Sequence, residues 1–242
     1  MSTSILYSAL KVPTIRRIII TSSIVTLIPY EWSANPDNRI YRAKDLNPKL
    51  SRSANHPMEA YWSSKGLARA AVKDFVETHK PHFEIIQILP GVIIGADDRA
   101  ATTADLRNNT PQWTLRMSPI LGEKQSEPMV SVPVDVVDVA RAHVDAMKPS
   151  ITGSTDYTLC VRSSESILWD DMIEVAKKYF QERAGSKEMP LGGTLPTTKF
   201  RVDSKETEIA FGWKLNTFEN TMKSMIGQYL TLLDGERKTP GF

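Results

Sequence analysis

The spacing of apolar residues changes along the chain between two patterns, one typical of strands and one of helices. Ile18 to Ile20 are consecutive β-branched residues without polar alternation, which is typical of a strand covered on both faces in a parallel sheet. Between Met58 and Pro81 apolar residues recur every four positions, so we predict an amphipathic helix that ends before this proline. A second strand is predicted over 83–89. Strand, helix and strand of these lengths predict a βαβ unit in an α/β fold.

Further elements follow the same reasoning. A short helix is predicted over 4–11 and a third strand over 157–161. Asp135, with Asp138 three residues later, predicts a capped helix with an acidic first turn. We expect its apolar face to hold Val136, Val139, Ala140, His143, Val144 and Met147. His143 is interpreted as a core or boundary histidine.

Two polar stretches interrupt these elements. Residues 27–57 contain several prolines and are interpreted as a long surface loop, a kind of loop that usually serves a site. Residues 96–132 are polar with isolated apolar anchors, so the segment is either a flexible insertion or an ordered excursion on the substrate side. We favour the second, because disordered segments are poor in such anchors. The anchors here and in the first stretch include Trp32, Trp113, Leu115, Met117 and Ile120, which suggests an apolar or aromatic ligand, although packing anchors look the same.

The carboxyl-terminal third predicts mainly helices. Ser166 is a candidate cap for a helix running to about residue 181. The run 203–206 resembles a capping box before a short helix that Gly212 ends. Thr217 opens a last helix with an inward apolar stripe, and the tail beyond Gly235 is polar and predicted to be loose.

Composition narrows the function classes. The chain has 242 residues, 41% of them hydrophobic and 24% charged, with a formal net charge of +2, which is ordinary for a globular protein. Its basic residues are scattered, so we predict neither a nucleic-acid nor a membrane partner. The largely apolar run 18–30 is too short and too rich in hydroxyls to span a bilayer. Cys160 is the only cysteine, which excludes an internal disulfide and a cysteine-based metal site and favours a cytoplasmic protein.

Candidate chemistry lies at the end of the first strand. Thr21, Ser22 and Ser23 follow its apolar core, and ligands of open α/β sheets bind at the carboxyl ends of the strands. Tyr61 and Lys65 are four residues apart, so they share one helix face. An ammonium group beside a phenol favours the phenolate, which suits proton exchange with an alcohol or carbonyl group.

The tyrosine–lysine spacing alone does not establish a site. Tyr7 and Lys11 have the same spacing, and most such pairs are exposed helix neighbours. However, no strand precedes Tyr7, and Pro13 ends its helix. Tyr61 and Lys65 instead open a long helix after a buried strand, which is the structural context that a catalytic pair needs.

Four segments together resemble a known family. They are Thr21-Ser22-Ser23, Tyr61-x-x-x-Lys65, the run 89–95 (Leu-Pro-Gly-Val-Ile-Ile-Gly) and the run 134–143 (Val-Asp-Val-Val-Asp-Val-Ala-Arg-Ala-His). Their order and spacing, including the 38 residues from Ser23 to Tyr61, resemble extended (atypical) short-chain dehydrogenases/reductases of the NAD-dependent epimerase/dehydratase superfamily. The branch with dihydroflavonol, cinnamoyl-CoA and methylglyoxal reductases is the most similar.

The resemblance implies a truncated Rossmann-like parallel sheet with helices on both faces and a small, mostly helical substrate domain. It assigns 1–96 and 131–163 to a partial dinucleotide-binding domain, and 97–130 and 164–242 to substrate binding. It also implies hydride transfer between NADP, or NAD, and a ketone, aldehyde or alcohol of a small organic substrate.

The same resemblance implies the site residues. Tyr61 would exchange a proton with the substrate oxygen, Lys65 would support the tyrosine and hold the nicotinamide ribose, and Ser23 would hydrogen-bond the developing alkoxide. Further cofactor contacts are implied for Ser22, Pro90, Gly91, Val92 and Ile93.

One signature of the family has no counterpart. The sequence contains no Gly-x-Gly-x-x-Gly or Gly-x-x-Gly-x-x-Gly turn, where backbone amides would bind the pyrophosphate. The resemblance therefore covers only the latter part of the family's fold, and the strand at 16–22 is expected to present an unpaired apolar edge.

This leaves three interpretations. The chain is a truncated product or a misannotated start, it pairs with a second chain or another copy that supplies the rest, or it is a cofactor-free binding or assembly subunit. Retention of Ser23, Tyr61 and Lys65 favours an enzyme over the last of these.

Overall fold

The computed structural model describes residues 2–32, 38–51, 53–109, 111–161 and 167–238. Their strands, numbered in chain order, are β1 (Arg17–Thr21), β2 (Ile40–Tyr41), β3 (Glu84–Pro90), β4 (Val92–Ile94), β5 (Met129–Ser131), β6 (Pro133–Asp135), β7 (Asp156–Leu159), β8 (Thr197–Lys199) and β9 (Arg201–Val202). Their α-helices are α1 (Ser2–Ala9), α2 (Pro57–His79), α3 (Thr103–Asn109), α4 (Pro111–Leu121), α5 (Val136–Asp145), α6 (Met172–Tyr179), α7 (Lys205–Phe211) and α8 (Phe218–Lys238).

The central sheet contains three parallel strands in the order β1-β3-β7. Ile19 of β1 is opposite Ile86 of β3, and Leu89 of β3 is opposite Thr158 of β7. β3 lies in the middle and is buried from residue 85 onwards, including its polar Gln87, as expected for a strand covered on both faces. The predicted parallel sheet and strand–helix–strand unit are confirmed. Among the described residues β1 pairs with β3 alone, so its outer edge carries no strand there.

Helices cover both faces of this sheet. On one face α1 and α2 pack Leu6 and Phe75 against a cluster that Ile18 and Ile20 border. On the other face α5 and α7 contribute to a cluster that Ile19 borders. Successive residues of a strand point to opposite faces, so the run of isoleucines contributes to both clusters, and the predicted α/β class is confirmed.

The polar stretch at 96–132 folds into ordered helices. α3 and α4 join α6 and α8 around a separate cluster that includes Trp113, Met117 and Ile120, all 3% exposed or less. The ordered alternative is therefore confirmed and the flexible insertion is wrong. The remaining described strands form three short parallel pairs, β2-β9, β4-β6 and β5-β8.

The interpretation of 27–57 as a polar surface loop is wrong in part. Leu27, Ile28 and Tyr41 are each at most 2% exposed, and Tyr41 belongs to β2, which pairs with β9. The prolines correctly indicated an irregular backbone, but the few apolar residues between them pack into a core cluster.

The predicted apolar face of α5 is also wrong in part, since Val139 is buried as predicted but other members are not. Val144 and Met147 are 57% and 63% exposed, whereas Asp138 and Asp145 point inward. Asp138 accepts a hydrogen bond from the Asn216 backbone amide at 2.6 Å. Partners contributed by the segment after α7 therefore decide which face of this helix is buried.

The predicted helix ends are reproduced with small differences. Gly212 ends α7 with a φ of 73°, the left-handed conformation that glycine adopts without strain. Asp203, rather than a capping box, accepts from the Lys205 amide at 2.9 Å. α8 continues to Lys238, so the predicted loose tail does not begin at Gly235.

Some predictions fall on residues that the structure does not describe. Ser166 and the side chains of Trp32 and Leu115 lie outside the described part. In the described ranges, no helix combines the length and the apolar character that crossing a bilayer requires.

Candidate active site

Ser23 lies two residues beyond β1, at the carboxyl end of the sheet. It caps a short 3-10 turn over 24–27, where its Oγ accepts a hydrogen bond from the Val25 amide at 3.3 Å. The residue is 5% exposed, so the turn holds the hydroxyl in one place. The hydroxyl retains its own proton to donate, because an Oγ that accepts from an amide is still a donor.

Tyr61 and Lys65 lie on one face of α2, as their spacing predicts. The Lys65 Nζ atom is 5.9 Å from the centroid of the Tyr61 ring. It donates a hydrogen bond to the Thr21 carbonyl oxygen at 3.1 Å. This bond ties the first turns of α2 to the end of β1. Tyr61 itself is 42% exposed.

A cavity of about 760 Å³ lies beside these residues. Ser23, Tyr61, Gly91 and Val92 line it, so residues from the end of β1, from α2 and from the β3–β4 junction meet at one space. Most of the remaining wall is apolar, formed by residues such as Ile24, Val25, Ile28, Met58, Met129 and Phe200. This size and character suit a small organic molecule.

The other predicted site residues do not line this cavity. Lys65 contacts the ring of Tyr61 but is not part of the cavity wall. Ser22 is 6% exposed, and its amide donates to the Ile88 carbonyl oxygen at 2.7 Å. Pro90 is buried in β3, and Ile93 is 44% exposed in β4.

Gly91 allows the main chain at the cavity wall to pass very close to the backbone of Val132. A Cβ atom at this position would lie 2.0 Å from the Val132 carbonyl oxygen. Its amide also donates to the Leu159 carbonyl oxygen at 2.8 Å. Only a residue without a side chain allows β3 to end and β4 to begin at this distance from the neighbouring backbone.

Arg69 is a positioning residue that sequence reasoning missed. Its side chain is fully buried and forms an ion pair with Asp156 of β7 at 2.7 Å. Its Nη1 donates to the Thr26 hydroxyl at 3.0 Å and to the Asp45 carbonyl oxygen at 2.8 Å. It thus joins α2 to the turn after Ser23 and to β7. The available signal was an arginine one turn after Lys65 on a mostly apolar part of the helix.

A second buried guanidinium group was also missed. Arg116 of α4 is 2% exposed and lines the cavity. Its position on the predicted substrate-side excursion gave no sign that it points inward.

His143 has partners for both ring nitrogens. Nδ1 lies 2.7 Å from the Val139 carbonyl oxygen, and Nε2 lies 2.8 Å from the Thr21 hydroxyl oxygen. The interpretation of a boundary histidine is confirmed. Within the described ranges, no three His, Cys, Asp or Glu side chains cluster as a metal site.

Known proteins are similar to this chain over nearly its whole length, although no protein-family profile matches it. Ketoreductase CTB6 of Cercospora beticola is 30% identical over 236 residues, which are 96% of this chain. The chain spans 65% of the length of that relative. A putative NADPH-dependent methylglyoxal reductase of Candida albicans, GRP2, is 22% identical over 90% of the chain and 64% of its own length.

Solved structures support the fold. Yeast methylglyoxal/isovaleraldehyde reductase Gre2, solved in complex with NADPH, superimposes with a TM-score of 0.75 at 21% identity. The match covers 97% of this chain and 69% of Gre2. The chain is thus similar to proteins named as reductases and, at 27% identity over 60% of its length, to FUM13 of Gibberella moniliformis, which is named as an NAD-dependent epimerase/dehydratase.

Proposed function

We propose that this chain carries the active site of an NADPH-dependent reductase acting on a ketone or aldehyde of a small organic molecule. The observation that carries the proposal is the meeting of Ser23 and Tyr61 at one cavity, with Lys65 linking Tyr61 to the end of β1. The names of the ketoreductase and methylglyoxal reductase relatives support this reaction class.

Each of the three residues has a distinct role. The Tyr61 hydroxyl donates a proton to the carbonyl oxygen as the carbonyl carbon gains a hydride. The Ser23 hydroxyl donates a hydrogen bond to the same oxygen as negative charge develops on it. Lys65 has three N–H donors, of which Thr21 accepts one, leaving two for ribose hydroxyls.

The residues present fit the nicotinamide end of the cofactor. NADPH, when bound, supplies the hydride. Gly91 and Val92 lie at the cavity wall, where a carboxamide would be held against the main chain. Ser22, Pro90 and Ile93 do not line the cavity, and we propose that they keep this wall in place. The sequence has no glycine-rich turn for the pyrophosphate, so we assign residues to the nicotinamide and its ribose alone.

The division into regions is part of this proposal. Residues 1–96 and 131–163 would hold the cofactor, and 97–130 with 164–242 would hold the substrate. The separate cluster around Trp113 and Met222 supports a substrate region. α7, however, contributes Phe211 to the cluster on the sheet, so the two regions interleave after β9.

A specific observation favours a second candidate, a cofactor-free binding or assembly subunit. The missing glycine-rich turn removes the usual binding site for a dinucleotide pyrophosphate. Titration of the folded protein with NADPH, followed by nucleotide fluorescence, separates the two candidates. Micromolar binding supports the reductase, whereas no binding supports the subunit.

The catalytic assignment is tested with Tyr61→Phe, using consumption of NADPH at 340 nm with aliphatic and aryl ketones. We expect kcat to fall by about 100-fold or more, because general acid catalysis contributes roughly 10²–10⁴, with NADPH affinity retained. Tyr7→Phe is the matched control, since Tyr7 has the same spacing to a lysine but packs against Phe75 and His79. Turnover by Tyr61→Phe equal to that of the control would remove Tyr61 from the mechanism.

A further inference from the structure

The cavity beside Tyr61 contains one buried basic side chain, that of Arg116. The residue lies in the middle of α4 and is 2% exposed. Its guanidinium carbon is 4.8 Å from the centroid of the Trp169 ring, which is fully buried. The guanidinium group therefore stacks on an aromatic face, an arrangement that arginine favours, and its position is fixed.

Two of the three guanidinium nitrogens of Arg116 have no acceptor in the described part of the chain. In the described part of the chain, its Nε and Nη1 atoms are buried and have no hydrogen-bond partner. Burial lowers the pKa of the Arg116 guanidinium to about 10, so the group is still charged at neutral pH. A buried charge without a full set of partners is costly, and acceptors from a bound molecule would offset that cost.

A second unsatisfied donor lines the same cavity. The Trp62 Nε1 atom is buried without an acceptor among the described residues, and Trp62 lies next to Tyr61 on α2. Glu127 is the single acidic side chain in the cavity wall as described. It is exposed and forms no ion pair with Arg116 within the described residues. Two residues of this largely apolar cavity wall, Arg116 and Trp62, therefore carry buried donors without a protein acceptor in the described part.

We propose that Arg116 binds an anionic oxygen group of the substrate, and we take a carboxylate as the representative group. The apolar wall would hold the carbon skeleton, and the guanidinium group would bind the anionic end through charge-assisted hydrogen bonds. The inference rests on the proposed function in one respect, that the occupant of the cavity is the substrate. It narrows the substrate class to apolar carbonyl compounds that carry an acidic group.

Binding measured without turnover tests this proposal. The probes are 4-oxo-4-phenylbutanoate and its methyl ester, a keto acid and a keto ester with the same skeleton, titrated calorimetrically into the protein with and without NADP⁺, which cannot donate a hydride. We expect the wild-type chain to bind the acid at least 10-fold more tightly than the ester. Equal affinities would overturn the proposal without any variant.

Variants at Arg116 test whether this residue causes the preference for the acid over the ester. We expect Arg116→Met to weaken binding of the acid by about 10- to 100-fold, as the loss of hydrogen bonds to a charged group predicts, and binding of the ester by less than 3-fold. Arg116→Lys keeps the charge and is expected to give an intermediate loss. Unchanged ester binding shows that the variants fold and keep the cavity.

Control variants exclude general effects. Arg201→Met removes another guanidinium group with a buried, unpaired Nε in the described part, but one outside the cavity wall, and is expected to bind both probes normally. Glu127→Gln is expected to bind the acid as tightly as the wild type or more tightly. An equal loss in Arg201→Met and Arg116→Met would overturn the proposal.

The two proposals fail in different ways. If Tyr61→Phe abolishes turnover while Arg116→Met leaves acid binding unchanged, the reductase stands and the anion site falls. If the acid binds through Arg116 but no carbonyl is reduced, the anion site stands and the proposed function falls.

Discussion

Replacing Arg69 by methionine tests whether the buried ion pair positions the helix that carries Tyr61. The Arg69 side chain is fully buried and that of Asp156 is 12% exposed, with 2.7 Å between Nη2 and Oδ2. Methionine fills much of the same volume but leaves the carboxylate without its main partner. Removing one member of a buried pair costs about 3–5 kcal/mol.

Other groups around the Arg69–Asp156 pair change the expected loss of stability in opposite directions. Lys73 is 3.5 Å from Asp156, with its side chain 36% exposed, and the Gln87 amide donates at 3.2 Å. These two groups still solvate the carboxylate. The Thr26 hydroxyl and the Asp45 carbonyl oxygen lose a donor, at roughly 1 kcal/mol each. We therefore expect the free energy of unfolding to fall by about 3–5 kcal/mol.

Urea denaturation followed by tryptophan fluorescence measures this loss. Lys73→Met is the matched control, because it removes an exposed partner of the same carboxylate and is expected to cost at most about 1 kcal/mol. The double variant Arg69→Met/Asp156→Asn should recover part of the loss, since the amide carries no unpaired charge. A loss below 1 kcal/mol in Arg69→Met, or an equal loss in Lys73→Met, would refute the reasoning.

Two further predictions concern pH and backbone packing. The Lys148 ammonium holds the pKa of the Asp145 carboxyl below its usual range, so this carboxylate stabilises the fold above its unfolded pKa of about 4. That stability is lost as pH falls through the folded pKa, and Asp145→Asn should flatten the acid limb of the urea midpoint. Burial raises the pKa of the Asp138 carboxyl, so the stability of the wild-type fold falls as pH rises and this carboxyl ionises. Asp138→Asn should therefore become more stable relative to the wild type from pH 4 to 7. Parallel plots of urea midpoint against pH for the two variants would contradict these assignments. Gly91→Ala places a Cβ atom 2.0 Å from a main-chain oxygen and should lower the free energy of unfolding by about 1–3 kcal/mol. In the control Gly227→Ala, the new Cβ meets its nearest atom at 3.8 Å, so this variant should be neutral or stabilising. Equal urea midpoints for the two variants would show that the backbone at Gly91 relaxes without cost.

Local periodicity predicted the features that depend on local sequence. The three strands of the central sheet and α2 follow from runs and repeats of apolar residues, and Tyr61 and Lys65 share a face because a helix repeats every 3.6 residues. The α5 prediction was wrong in part, because hydrophobicity alone assigned its buried face. Asp138 and Asp145 point inward because Asn216 and Trp213 donate to them, and these partners are distant in sequence.

The same limit explains the two missed arginines. The partners of Arg69 come from segments 24 to 87 residues away, and Arg116 stacks on Trp169 across a helix contact. No pattern within one element indicates such contacts. The sequence therefore predicted the residues proposed for the chemistry. The structure added Arg69, which positions the helix that carries Tyr61, and Arg116, which we propose binds the substrate.

The contrast between these two arginines separates a structural role from a binding role. Arg69 and Arg116 are both buried to within 2% of full burial, so both charges have been removed from water at similar cost. Arg69 recovers that cost inside the protein, through Asp156, Thr26 and main-chain oxygens. Arg116 recovers part of it from the Trp169 ring, and its Nε and Nη1 atoms have no acceptor in the described part. Because Arg116 lines the same cavity as Tyr61 and Ser23, the missing acceptors are best supplied by the molecule whose carbonyl group we propose to bind at Tyr61 and Ser23.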